Sequence, residues 1–154
     1  MDNPIVQDPG KWVIVEAVNG AKRLVMRLRT DRPNQPDINA YSTAIVIGWE
    51  FPSLEGTAKP PEETYQRMLS FERAVDELSM ENGHSFLMNV STGLGLREWC
   101  YYAKDRERFM ARFNELLAGR ERYPLKIEFF DDPEWRVWLD LRYAYERTGG
   151  EPAV

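Results

Sequence analysis

Residues 43–51 are apolar on both faces of a predicted β-strand, and this feature constrains the fold more than any other in the sequence. The large side chains of one face are Ile45, Ile47, Trp49 and Phe51, and the small ones of the other are Ala44, Val46 and Gly48. A strand that is apolar on both faces usually lies inside its sheet, because neither face suits solvent. The sequence therefore predicts an interior strand here, with a neighbouring strand on each side.

A β-hairpin is predicted ahead of this strand. Residues 12–18 are rich in β-branched side chains, residues 23–29 alternate between basic and apolar ones, and Asn19-Gly20 stands between the two runs. Asn-Gly between such runs is the strongest short-range signal for a hairpin, because both residues readily adopt a positive φ. The first two strands are therefore expected to pair with each other.

The rest of the chain alternates between predicted helices and strands. Pro60-Pro61 suits a first helical turn, Asn82-Gly83 suits a helix end, and Asp105 suits an N-cap. The predicted elements are a helix over 60–82, strands over 84–91 and 96–103, a helix from 105 to 119, a strand over 125–129 and a helix after the capping residues 132–134. From residue 43 onward the order is thus β-α-β-β-α-β.

That order is typical of ferredoxin-like folds, in which two helices lie on one face of an antiparallel sheet. The predicted class is α+β: a ferredoxin-like βαββαβ core with an added N-terminal β-hairpin and a C-terminal helix, whose positions the pattern leaves open. A single domain is expected over residues 1–148, and residues 149–154 are expected to form a disordered tail.

Composition restricts the classes of function. The net charge is −5, with Lys and Arg numbering 20 against 25 Asp and Glu, and this excess repels a phosphate backbone, so nucleic acid is disfavoured as a partner. The only cysteine, Cys100, forms no disulfide within the chain, and we find neither a signal peptide nor an apolar run near the ~18 residues that cross a membrane. We therefore expect a cytoplasmic protein that has no membrane segment.

The sequence predicts no catalytic residue, no metal site and no cofactor. His84 is the only histidine and Cys100 the only cysteine, so the chain lacks enough ligands for a zinc site of the usual kind, and no nucleophile–histidine pair is apparent. We expect His84 to be structural and Cys100 to be an apolar filler of the core. Gly93-Leu94-Gly95 precedes a predicted strand, whereas a phosphate loop precedes a helix. We expect the principal carboxylates to be scattered, each paired with an arginine or a helix cap; they are Glu50, Glu72, Glu98 and Asp132.

Two segments carry candidate binding residues. Arg27 and Arg29 share one side of the second strand, which indicates either a charge-protected edge strand or a patch for an anion or an acidic partner. Arg97 and Trp99 share one side of the fifth strand. Its aromatic side chains, if exposed, could stack RNA bases, and otherwise the hairpin or the last helix covers them.

Several motifs resemble the bacterial domain of unknown function number 695, a family without an assigned activity, over roughly residues 12–139. They are Trp49-Glu50-Phe51-Pro52, Arg97-Glu98-Trp99-Cys100-Tyr101-Tyr102, Tyr123-Pro124 and Asp131-Asp132-Pro133-Glu134-Trp135. The closing segment is also similar to that of the type B regulators of RNase E activity, which are non-catalytic inhibitors that bind the endonuclease. This resemblance implies a function in binding.

The leading hypothesis is a non-catalytic binding or regulatory protein that docks a protein partner through Arg27, Arg29, Arg97 and Trp99. One alternative is a single-stranded RNA-binding module that uses sheet aromatics, and another is a carboxylate-dependent hydrolase. The sequence indicates neither the partner nor the oligomeric state.

Overall fold

Six strands and three α-helices make up the fold in the computed structural model, which describes residues 11–20, 22–53, 57–79 and 84–147. The strands are β1 (Trp12–Asn19), β2 (Lys22–Arg29), β3 (Thr43–Glu50), β4 (Ser85–Gly93), β5 (Leu96–Ala103) and β6 (Leu125–Asp131). The helices are α1 (Glu62–Ala74), α2 (Arg106–Leu117) and α3 (Arg136–Arg147), and two short 3-10 turns span Ile38–Ala40 and Asp76–Ser79. The predicted α+β class is confirmed.

The strands form one sheet in the order β1-β2-β4-β5-β3-β6, and every neighbouring pair is antiparallel. β3 pairs with β5 on one side and with β6 on the other, so the predicted interior strand is confirmed. The predicted hairpin is confirmed as well: Asn19 pairs with Lys22, and Gly20 adopts the positive φ of +65° that this turn requires. The edge-strand interpretation of the basic run is wrong, because β2 lies between β1 and β4.

Helices α1 and α2 pack on the same face of the sheet, which we call the two-helix face. Large β3 side chains such as Ile47 and Trp49 are buried there against Phe71 of α1 and Phe113 of α2. The apolar residues of each helix recur at helical spacing, so they form one stripe that packs on the sheet. Burial of these stripes supplies the main driving force for packing the two helices on the sheet. The arrangement of β3 beneath both helices agrees with the sequence pattern.

Helix α3 covers part of the opposite face, which we call the α3 face. Its entry is fixed by Asp132, whose carboxylate accepts hydrogen bonds from the amides of Arg136 (2.7 Å) and Val137 (3.0 Å). The indole of Trp135 stacks on the Tyr102 ring with centroids 3.9 Å apart. The last helix therefore buries the β5 aromatic on this side, as one of the two sequence interpretations expected.

The structure departs from the sequence prediction at the end of the first helix. α1 ends at Ala74, and a 3-10 turn over Asp76–Ser79 follows where the helix was predicted to continue. The Ser79 hydroxyl donates to the Asp76 carbonyl (2.6 Å), a local bond by which short polar side chains compete with helical bonding. The predicted stop at Asn82-Gly83 and the predicted tail at 149–154 lie outside the described residues. Within the described ranges, no helix has the length and apolar character needed to span a membrane.

Candidate functional site

A groove of about 260 Å³ opens between the N-terminal hairpin and the start of α1, on the two-helix face of the sheet. Arg27, Lys59 and Arg97 line it together with Tyr65, and we call it the basic groove. Its apolar wall is contributed by Ile14, Val25, Ala58, Pro60 and Val90. Among the residues that the structure describes, no carboxylate lines the groove.

Arg97 lies on β5 at the base of this groove and is only 8% exposed. One terminal nitrogen, Nη1, donates to the Thr92 hydroxyl (2.6 Å), and the other, Nη2, donates to Glu72 Oε2 (2.6 Å). Its buried Nε has no hydrogen-bond partner within the described part of the chain. A buried donor left unpaired costs about 1–3 kcal/mol, so an acceptor that reached this nitrogen would be favoured.

Glu72 on α1 holds the arginines from the helix side. Its Oε2 also accepts a hydrogen bond from the Trp99 indole (3.1 Å), and its Oε1 lies 3.8 Å from Nη2 of Arg27. One carboxylate thus faces two arginines, and Lys59 adds a third cation at the rim. The resulting excess of positive charge beside apolar walls favours an anionic ligand.

The structure unites two of the four predicted binding residues in the basic groove, namely Arg27 and Arg97. Trp99 lies behind them, 1% exposed, and packs on Phe71 with ring centroids 5.0 Å apart. It supports the groove through its hydrogen bond to Glu72 and through the Arg97 guanidinium, which lies over its ring at 5.4 Å from the centroid. Arg29 is buried, with its Nε 3.5 Å from Asp31 Oδ1, and does not line the groove.

Lys59 is the groove residue that sequence reasoning missed. It lies in the loop directly before Pro60-Pro61, and its Nζ is 5.9 Å from the centre of the Tyr65 ring. The sequence pattern does not relate Lys59 to β2 or β5, because Lys59 reaches the groove only when α1 packs on the sheet. The only sequence feature that could have indicated Lys59 as a groove residue is its position immediately before the predicted start of a helix.

The β5 rings that the sequence suggested for RNA stacking are not at the surface. Trp99 and Tyr101 are buried beneath α1 and α2, and Tyr102 is buried beneath α3. Base stacking needs an exposed ring face. The strand β5 therefore offers no platform of that kind.

A second concavity, of about 510 Å³, lies on the α3 face. Glu50, Glu98 and Glu128 line it with Lys126, and we call it the carboxylate trough. The expectation of scattered carboxylates is wrong for Glu50 and Glu98, because the register places β3 and β5 side by side and puts both side chains on one face. It holds for Glu72, which pairs with arginine, and for Asp132, which caps α3.

Gly48 keeps the middle of this trough open. It lies between Glu98 on β5 and Lys126 on β6, and a methyl group at Gly48 would lie 3.5 Å from Leu96 Cδ1. Burial raises the pKa of Glu98 above its ordinary value, and the negative charge of Glu128 raises it further. A carboxyl group of this kind can hold a proton closer to neutral pH, as a general acid does.

The single histidine and the single cysteine of the chain lie apart from both concavities. Burial raises the pKa of Cys100 to about 12, so its thiol stays protonated in the core, in agreement with the predicted apolar filler. Burial, with smaller contributions from Arg108 and Lys104, lowers the pKa of His84. Across the described ranges, no three His, Cys, Asp or Glu side chains converge as metal ligands would.

Fold and sites together define an α+β protein whose antiparallel sheet is overlaid by helices on both faces and carries one basic and one acidic concavity. The model of a family of unknown function, DUF695, matches residues 10–143, and the chain belongs to that family. The resemblance to this domain of unknown function is thereby confirmed. Neither the curated proteins nor the solved structures provided a match to the chain.

Proposed function

We propose that this protein is a non-catalytic cytoplasmic binding protein that docks a protein partner by accepting acidic side chains of that partner in the basic groove. The observation that carries the proposal is Arg97: nine-tenths buried, with an unpartnered Nε, beside Arg27 and Lys59. An arginine held in this way recognises a carboxylate by charge-assisted hydrogen bonds, which are about twice as strong as neutral ones.

The local environment strengthens such an interaction. Apolar side chains such as Ile14 and Val25 form the walls, and the low dielectric near them increases the attraction between a guanidinium and a carboxylate. Lys59 at the rim attracts the partner over a longer range, which raises the association rate. The groove thus combines a buried anchor with an exposed steering charge.

The resemblance of residues 123–135 to the closing segment of the type B regulators of RNase E activity also supports a docking function, because those bacterial proteins act by binding another protein. The order β6-β3-β5-β4, with α1 and α2 on one face, supports the further proposal that this part of the chain is a ferredoxin-like core. Folds of that class host many functions, so the groove carries the argument.

Removing the two exposed cations of the groove is expected to weaken the binding of an acidic peptide. The probe is a fluorescein-labelled short peptide in which glutamate and valine alternate, which we call the Glu-Val peptide. The double variant Arg27→Gln/Lys59→Glu loses two attractive charges and gains one repulsive charge, so we expect its Kd to rise by about tenfold or more, or roughly 1.4 kcal/mol. Fluorescence anisotropy at low and moderate salt measures the effect.

The matched control is Arg136→Glu, a charge reversal on exposed α3 at the opposite face of the sheet. It should bind the Glu-Val peptide as the unaltered protein does. A peptide in which lysine and valine alternate should bind weakly or not at all. Absence of binding by the unaltered protein would contradict the proposal that the basic groove binds acidic side chains. An equal loss of affinity in Arg136→Glu would contradict it as well.

The carboxylate trough supports a second candidate function, a carboxylate-dependent hydrolase. The raised pKa of Glu98 favours it, because a general acid must carry a proton near the working pH. Glu50 lines the same trough, so it can serve as the base that activates water. The two carboxylates therefore share one concavity, which is where a search for an acid–base pair begins.

The variant Glu98→Gln tests this second candidate. The raised pKa means that the folded protein binds the Glu98 proton more tightly than the unfolded chain, so this group lowers stability as pH rises through its folded pKa. We therefore expect Glu98→Gln to raise the free energy of unfolding at neutral pH and to leave it unchanged at acid pH below the ordinary glutamate range. A hydrolase would also lose cleavage of chromogenic esters or glycosides in Glu98→Gln; a full rate in this variant would contradict the second function.

A further inference from the structure

The strand β1 forms an edge of the sheet among the strands that the structure describes. In an antiparallel pair, alternate residues direct their amide and carbonyl groups to the partner strand and the others direct theirs away. The Thr30 amide donates to the Lys11 carbonyl (2.8 Å), which fixes the phase of the β1–β2 pairing. Ile14, Glu16 and Val18 therefore direct their backbone groups away from β2, toward the free edge.

Among the described residues, this edge lacks two features that usually prevent strand addition. Long edge strands are commonly protected by lysine or proline, but neither residue occurs within Trp12–Asn19. Ile14 and Val18 are 50% and 54% exposed, on the same side of the sheet as the basic groove. The one acidic residue of β1, Glu16, is already paired with Arg23 at 2.9 Å.

We infer that an extended acidic segment of a partner protein binds as an added strand along β1 and directs its carboxylates toward the basic groove. The inference rests on the proposed function and specifies the conformation of the bound segment. In the register Ile14 lies opposite Arg27, and both line the groove. A strand added beside Ile14 lies about 4.8 Å farther out, and its same-face side chains lie within reach of Arg27.

Charge complementarity selects this occupant over a second copy of the chain. A second β1 would supply Glu16 as its only carboxylate, and Arg23 of the same copy already neutralises it. An acidic segment supplies carboxylates for Arg27, which lies on β2 next to β1 and shares its carboxylate partner, Glu72, with Arg97. Main-chain bonds to β1 would contribute affinity, and the groove would select the side chains, as in other cases of strand addition.

The experiment compares Ile14→Pro with Ile14→Ala for binding of the Glu-Val peptide. Both variants lose the isoleucine side chain, but only proline removes the outward amide donor, at a position where an edge strand tolerates it. We expect binding by Ile14→Pro to be about tenfold weaker than binding by Ile14→Ala. In the unaltered protein, bound peptide should slow hydrogen exchange at the amides of Ile14, Glu16 and Val18, measured by NMR.

The exchange measurement keeps the inference testable even if Ile14→Pro fails to fold. Equal binding by the two variants, or no slowing of exchange at Ile14, Glu16 and Val18, overturns strand addition. If Arg27→Gln/Lys59→Glu still weakens binding by about tenfold or more in that case, the proposed function survives and only the bound conformation is wrong. Failure of the unaltered protein to bind the peptide overturns both the proposed function and strand addition by an acidic segment. A concentration-dependent doubling of mass in sedimentation would favour a second copy of the chain as the occupant of the β1 edge.

Discussion

Replacement of Asp132 by alanine is expected to lower the free energy of unfolding by about 3–4 kcal/mol. The buried Asp132 carboxylate accepts the amides of Arg136 and Val137 at the start of α3 and also accepts the Tyr102 hydroxyl. The same hydroxyl accepts the amide of Trp138 (3.2 Å), so one side chain organises the helix entry and its contact with β5. Without it, several buried polar groups lose partners at once.

Urea denaturation of Asp132→Ala measures this loss, and Asp131→Ala is the matched control. Asp131 is the exposed neighbouring carboxylate at the end of β6, so its removal should change the free energy of unfolding by about 0.5 kcal/mol or less. A double-mutant cycle with Tyr102→Phe isolates the carboxylate–hydroxyl contribution. Similar losses for Asp131→Ala and Asp132→Ala would contradict the assigned role.

Local chemistry made Asp132 and Asp105 predictable from the sequence. Each precedes an amphipathic helix, and capping depends only on residues within one turn, as the bonds from the Glu107 and Arg108 amides to Asp105 show. The interior position of β3 was predictable for the same reason, since the pattern of its own side chains specifies two apolar faces.

The sites were less predictable because sheet register assembles them. Glu98 is adjacent to Gly48 only through the pairing of β5 with β3, and a shift of one residue would move Glu98 to the other face. Lys59 joins Arg97 because α1 docks beside β5. Trp99 was predicted as a binding residue on the correct side of β5, but α1 and α2 bury that side of the sheet.

Replacement of Glu72 by glutamine is expected to act in opposite directions on stability and on affinity. Glu72 and Arg97 form a largely buried pair, and removal of the negative charge leaves the arginine charge uncompensated. Breaking such a pair typically costs about 3–5 kcal/mol, and the retained amide oxygen should limit the loss to about 2–3 kcal/mol because it still accepts a hydrogen bond. Glu146→Gln, which breaks an exposed pair with Arg142, should cost less than about 1 kcal/mol.

The affinity of the same variant distinguishes a ligand site from a merely structural ion pair. Glu72 competes with an incoming carboxylate for Arg27 and Arg97, so its neutralisation should tighten binding of the Glu-Val peptide by about fivefold, or roughly 1 kcal/mol. The double variant Glu72→Leu/Arg97→Met removes both charges; its stability should largely recover while peptide binding is lost. Anisotropy and urea denaturation on the same samples report both quantities. Weaker binding by Glu72→Gln at a temperature where it remains folded would mean that the pair supports the fold alone and that Arg97 does not receive the partner's carboxylate.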